Sequence, residues 1–490
     1  MAYFLVTDFR GGLDLRKHEM TSPPGTLREL TNAVINPGGE IEKRKAFVPW
    51  VAAPGGTFGL AAVLQDLYVF QQTAARDAKR RADVPLPWVR QRFNGLPSLR
   101  TTPTLKTQNL VLATSVTVLT GLIDWDLFDG KIYSTCLGAD NKVYHFYDGV
   151  HVAQPSDITV PTLGSYIRTF KNRMYCVGGR NMMFSALGAP MEWANATNGS
   201  GWINLSSEDG DSTDLLGVEV YYGDIAVLSR NATQTWQVDA DPKAFLQKQL
   251  IRDFGSIAPR SVKQYGNGDI LSLMNSGVRS LQARDIANNA SVSDIGSPLD
   301  KLFQSGANWI DNAYLSPAMS VVDSLTGRYW LVNGKTMYVL SYFPGPKVTA
   351  WSTFTTDFDT DWAVAFMGRV AVRDKNDQIY LYGGLTSDEH DNCPVTATIP
   401  YLDAQKAGTH KMFEAFDSII SGEWVVDVSF EPMAPDAWAR VGTFSAPTPT
   451  QQRMGMEGTS THVALRMTCN QHEPATIANV LLHYKGADEK

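Results

Sequence analysis

The chain has 490 residues, 43% apolar, 10% aromatic and only 19% charged, enough for a large core and too little charge for long disordered tails. Its 43 basic and 50 acidic residues leave a net charge of −7, which argues against a protein that grips nucleic acid through a basic face. Four scattered cysteines, Cys136, Cys176, Cys393 and Cys469, have neither metal-ligand nor redox spacing and read as reduced thiols.

The opening MAYFLVTDFRGG lacks a basic start followed by an apolar run, so no secretory signal is expected. No apolar run approaches the roughly 18 residues of a membrane span, and folding in a cytoplasm is the expectation. Residues 1–56 read as an extended lead-in punctuated by Gly11-Gly12, Pro23-Pro24-Gly25 and Pro37-Gly38-Gly39, with room for a short helix over Thr26–Ile35. Residues 57–72 read as a strand pair, a seventh or closing blade beside the repeats that begin at Gly130.

The stretch from 76 to 106 differs in composition. Arg76, Lys79, Arg80, Arg81, Arg90, Arg92, Arg100 and Lys106 face only Asp77 and Asp83, and prolines at 85, 87, 97 and 103 exclude a regular element. It is either a solvated loop or a basic surface for an acidic partner or DNA phosphates. Arg76, Lys79, Arg80, Arg81, Arg90 and Arg92 are the candidate contact residues.

From Gly130 to Gly383 one phrase recurs six times: a tight start, a short apolar strand, a turn and a second apolar or aromatic strand. The starts are Gly130, Asn172, Gly223, Gly268, Gly327 and Gly368, separated by 42, 51, 45, 59 and 41 residues. A hairpin returning every 40 to 50 residues or so is the mark of a β-propeller blade. Asn333-Gly334, Asn275-Ser276-Gly277 and Asp374–Asp377 supply turn chemistry. The run Ile225-Ala226-Val227-Leu228 is apolar on both faces, as a blade between two neighbours requires. Residues 190–214 and 285–315 read as insertions. The expected fold is all-β: a propeller of about six blades over 57–400, followed by an antiparallel β-sandwich-like domain over 401–490, where Glu423–Glu431 alternates cleanly.

Catalytic signatures are few. The chain has no phosphate loop, nucleophile elbow or Cys-x-x-Cys. The acidic run Glu208–Asp214 lacks the full calcium-loop pattern, SRNATQTW from Ser229 is only a faint Asp-box, and His410, His462 and His483 are too far apart in sequence to claim as ligands. No catalytic residue, cofactor or metal is expected.

Three blocks carry a resemblance. FRGGLD from Phe9 with SPPGTLRELTNAVINPGGEIEKRKAF to Phe47 is similar to the N-terminus of tail hub or nozzle proteins of short-tailed bacteriophages. The middle, from FKNRMYCVGG through YYGDIAVLSRNATQTWQV to GVRSLQ, looks like the same family's core, and STHVALRMTCN with NVLLHYKG like its closing strands. The resemblance implies a structural virion protein: a ring, expected as a hexamer, that continues the portal–adaptor channel and helps retain and then conduct the phage DNA. It also implies contacts with adaptor, portal and tail fibre, spike or needle proteins, transient contact with double-stranded DNA, and a place in the tail after assembly in the host cytoplasm. A carbohydrate-active propeller of sialidase or depolymerase type and a cellular interaction scaffold are the alternatives.

Overall fold

The computed structural model describes residues 2–73, 103–113, 116–193, 199–205, 214–287, 294–304, 315–434, 436–446 and 453–486. Among the described residues the regular structure is mostly β-strand with few short helices, arranged as a propeller joined to a sandwich.

Seven blades can be followed among the described residues, blades one and two joined in one sheet and blades six and seven in another. Blade one is Phe58–Val63, Asp66–Thr73 and Thr104–Val111, the last pairing parallel to its neighbour. Blade two is the meander Leu119–Phe128, Lys131–Gly138, Val143–Tyr147 and Val150–Val152. Blade three runs Tyr166–Phe170, Arg173–Gly178, Asn181–Phe184 and Gly201–Asn204. Blade four runs Gly217–Tyr221, Asp224–Leu228, Ala232–Gln237 and Leu246–Arg252. Blade five is Lys263–Tyr265, Asp269–Met274 and Gly277–Ser280, continued by the helix Leu281–Ala287. Blade six pairs Met319–Asp323 with the start of the strand Arg328–Phe343. Blade seven takes the end of Val348–Phe366, then Arg369–Asp374 and Gln378–Tyr382. Successive innermost strands lie side by side, and that of blade seven returns to Phe58–Val63 of blade one. The pair expected at 57–72 thus adds a blade to the recurrent phrases.

Closure comes from the N-terminus. Phe47–Ala52 pairs antiparallel with Gln378–Tyr382 as the outermost strand of blade seven. Pro49 sits in this strand beside a register shift in its pairing, which an edge position permits. Phe47 seats its ring against Trp330, Phe358 and Tyr382 at 6.1, 5.7 and 5.3 Å, and burying it contributes about 2–3 kcal/mol.

Two sequence expectations need correction. Asn333-Gly334 is not a hairpin turn: Arg328–Phe343 runs through it as one strand, and the chain reverses at Pro344–Lys347. Gly334, at φ 60°, marks a register shift where the strand leaves blade six and enters the sandwich. A bulge bends and twists a strand in this way. Thr26–Ile35 is not a helix but three short strands. Asn32 at φ 56° interrupts it, and Glu29–Thr31 pairs with Val395–Leu402 instead, so partners distant in sequence override local periodicity.

The sandwich is assembled from both ends of the chain. One sheet holds Met454–Ser460, Lys411–Ser421, Thr476–Gly486, Ile41–Lys43 and Ala33–Ile35, with Ala2–Val6 also on Thr476–Gly486. The other holds Ala439–Phe444, Trp424–Ser429, Val463–Cys469, Val395–Leu402 and Glu29–Thr31, joined to the start of Val348–Phe366. Their facing sides share one core that includes Phe9, Leu30, Trp351, Phe416, Trp424 and Leu482.

Candidate functional site

Along the propeller axis lies an open cavity of about 1220 Å³, walled by the innermost strands of blades two to seven and the turn before blade five. On blades two and three its charged side chains, Asp124, Asp126 and Arg168, alternate along the strand, so that one side of the strand packs within its own blade while the other reaches the next.

Asp124 and Asp126, two apart on the inner strand of blade two, bridge to blade three. Asp124 Oδ2 accepts from Ile167 N at 2.9 Å and Asp126 Oδ2 from Thr169 N at 2.6 Å, while their Oδ1 atoms accept from Trp125 N and Leu127 N, each at 2.8 Å. Four amides that no ladder would satisfy are thereby paired, which removes an exposed strand edge inside the ring. Burial pushes the Asp124 carboxyl up to about 6, against the pull of Arg168 and the two amides.

Arg168 passes the link on to blade four, its Nη2 at 3.0 Å from Glu219 Oε2 and its Nη1 at 3.8 Å from Asp126 Oδ2. Burial works against its charge, but Glu219, Asp126 and Asp124 together hold the guanidinium above its ordinary range. Beside it, burial raises Tyr166 to about 12. On the far wall Asp269 Oδ2 accepts from Ser280 Oγ at 2.6 Å, and burial raises the carboxyl. Asp294, likewise raised by burial, receives Ser280 N at 3.1 Å.

Arg260 differs from these. It precedes blade five, yet its guanidinium reaches across to lie 4.7 Å from the ring centre of Trp362 on blade seven and donates Nη2 to Pro317 O at 3.1 Å. Burial lowers its pKa, opposed by Asp361, Tyr166 and Asp124.

The basic candidates Arg76, Lys79, Arg80, Arg81, Arg90 and Arg92 lie outside the described residues. So does most of the acidic run, from Glu208 to Thr213. Lys106 is described: it pairs with Asp66 at 2.5 Å and sits 5.7 Å from the Tyr68 ring centre, tying two strands of blade one together. Ser229 of the faint Asp-box makes a local turn, its Oγ receiving Ala232 N at 3.1 Å. The three C-terminal histidines are not gathered as ligands; His483 meets Asp417 at 2.7 Å, and His462 is next to Thr461 Oγ1 at 2.9 Å. Among the described residues no three His, Cys, Asp or Glu are placed to hold a metal ion. The four cysteines are free and buried, with burial lifting the Cys176 thiol to about 12. Sequence reading missed the axial cluster, although Asp-Trp-Asp within a blade-opening strand, charged at alternate positions, was its visible trace.

No family model and no curated sequence matches the chain. Among solved structures it is similar to BamB from Moraxella catarrhalis, at 8% identity over 56% of this chain and 71% of that one, TM-score 0.33. It is also similar to the Pan2 WD40 domain of Neurospora crassa, at 12% identity over 53% and 74%, TM-score 0.31. An exo-β-1,3-galactanase from Phanerochaete chrysosporium matches at 11% identity over 68% and 99%, TM-score 0.25. Likeness at this level carries no statement about what the chain binds or does.

Proposed function

We propose that the chain is a structural virion protein, a tail hub or nozzle subunit that forms a ring continuing the portal–adaptor channel of a short-tailed bacteriophage and helps retain and then conduct its DNA. The observation that carries this reading is what becomes of the residues on which the resemblance rests. The opening and closing blocks, more than four hundred residues apart, fold into one sandwich. Within it the motif residues are structural pins: Lys43 and Arg44 of the Lys-Arg run are buried at 1% and 5% exposure. Lys43 Nζ donates to the carbonyls of Asp391 and Gln471, and Arg44 Nη1 meets Asp391 Oδ2 at 3.2 Å. Charged residues held this deeply serve the fold, which supports reading the resemblance as one of architecture.

In this reading the role is structural rather than catalytic. The subunit is one of a hexamer with heterologous contacts, each face meeting a different face of its neighbour. Its partners are the adaptor and portal above and the fibre, spike or needle proteins below, in the tail of a virion assembled in the host cytoplasm. Contact with double-stranded DNA is transient, because a net charge of −7 disfavours lasting phosphate contacts.

Electron microscopy of the purified full chain, alone and mixed with portal and adaptor, tests it. Rings of six with an axial hole that dock on the adaptor are expected; a monomer that stays unbound overturns the reading. The basic stretch is tested separately by Arg80→Glu with Arg81→Glu, which should abolish docking. Unimpaired docking would remove that stretch from the interface.

A further inference from the structure

The axial cavity contains a cation that the fold does not use up. Asp124, Asp126, Arg168 and Glu219 are committed to one another and to backbone amides. Arg260 is not. It forms no ion pair within 4.0 Å among the described residues, and of its five N–H donors only Nη2 has a partner, the carbonyl of Pro317. Its flat face is fixed on Trp362, which holds the fork in one orientation and leaves its edge for a ligand. Lys263, on the first strand of blade five, lines the same cavity and likewise has no ion pair among the described residues. Tyr166, close enough to act on Arg260 electrostatically, adds a hydroxyl to the same cavity.

We propose that Arg260, with Lys263 and Tyr166, forms an oxyanion site in the propeller axis that takes a small molecule bearing a carboxylate or a phosphate. Three features support this. A guanidinium is the side chain best shaped for two parallel bonds to such a group, and stacking on an indole spares it the entropy of being ordered on binding. The cavity, at about 1220 Å³, holds a molecule of metabolite size and not a DNA duplex. The low solvation that depresses the Arg260 pKa also strengthens any charge-assisted bond made there. Asp124 and Asp361 act on Arg260 electrostatically and weaken its pull on an anion, which keeps the expected affinity modest. The inference does not depend on the tail reading, since it concerns the inside of one subunit.

Calorimetric titration of the full chain with inorganic phosphate and, separately, malonate, at matched ionic strength in chloride, tests the site and distinguishes the two ligand sources. One saturable site per chain is expected for at least one probe, with a dissociation constant of about millimolar or tighter. Arg260→Gln should weaken it about tenfold or more, the loss of one charge-assisted bond. Lys263→Gln should weaken it several-fold, and Lys248→Gln, on the outer strand of blade four, should leave it unchanged. Absence of saturable heat with both probes, or equal affinity in Arg260→Gln, overturns the proposal. Should Arg260→Gln fail to fold, undiminished affinity in Lys263→Gln overturns it instead.

Discussion

Arg44 donates its Nε to Asn32 Oδ1 at 3.0 Å, and the same oxygen takes Thr355 N at 2.9 Å. One amide side chain thus joins the lead-in to the long strand that links sandwich and propeller. Its Nδ2 also donates to Pro394 O at 2.8 Å and Thr355 Oγ1 at 3.1 Å, so every polar atom of the Asn32 side chain is engaged in a site it enters at φ 56°. Asn32→Ala leaves the buried Arg44 Nε, Thr355 N and Pro394 O without these partners and replaces a residue tolerant of the left-handed region. A loss of about 2–4 kcal/mol is expected, read as a lower urea midpoint for the full chain by tryptophan fluorescence.

Gly12, in the FRGGLD opening, has φ 52°, and a Cβ there would stand 2.6 Å from Ala350 Cβ and 2.9 Å from Trp351 O. Both obstacles belong to a buried strand that cannot retreat. Gly12→Ala should therefore cost about 2–4 kcal/mol from clash and backbone strain together. Gly55→Ala, where a Cβ meets nothing within 4 Å, is the control. A thermal midpoint falling by several degrees for the first and unchanged for the second is the expected result.

These two positions show why part of the fold was legible. Blade hairpins rely on contacts near in sequence, so Asp269–Met274 with Gly277–Ser280 and Arg369–Asp374 with Gln378–Tyr382 announce themselves through turn residues between apolar runs. Pairings made across hundreds of residues leave no local trace. Thr26–Ile35 reads as a helix because its partners, Val395–Leu402 and Ile41–Lys43, are not visible in its own periodicity. The axial site was legible only as charged residues at alternate strand positions. Which of them pair, and that Arg260 from the turn before blade five joins them without an ion pair among the described residues, depends on how the blades are rotated around the ring.

Ring closure by Phe47–Ala52 makes the propeller depend on the N-terminus. Removal of residues 1–52 exposes the edge of Gln378–Tyr382 and strips the sandwich of Ala2–Val6, Ala33–Ile35 and Ile41–Lys43. An unpaired, apolar strand edge is a site of aggregation. The truncated chain should form soluble aggregates in size-exclusion chromatography with light scattering and lose its cooperative thermal transition; a well-folded monomer would show that closure is dispensable.

Acid should stabilise the blade-two to blade-three junction rather than weaken it. The folded Asp124 carboxyl titrates at about 6 against an ordinary value of 3.8, so between those pH values the folded state holds a proton that the unfolded chain has lost. The contribution is then largest below the unfolded value and declines as pH rises through about 6, by at most about 3 kcal/mol. Asp269 and Asp294, also raised by burial, act in the same direction. Asp124→Asn removes this titration but retains a single acceptor oxygen for the two amides of Trp125 and Ile167. The variant should be less stable at pH 4, where an orphaned buried amide costs about 1–3 kcal/mol, and should approach the parent protein by pH 7. Thermal midpoints at half-unit steps from pH 4 to 7 measure it. A gap between the two proteins that widened with pH would mean that the junction requires the charged carboxylate.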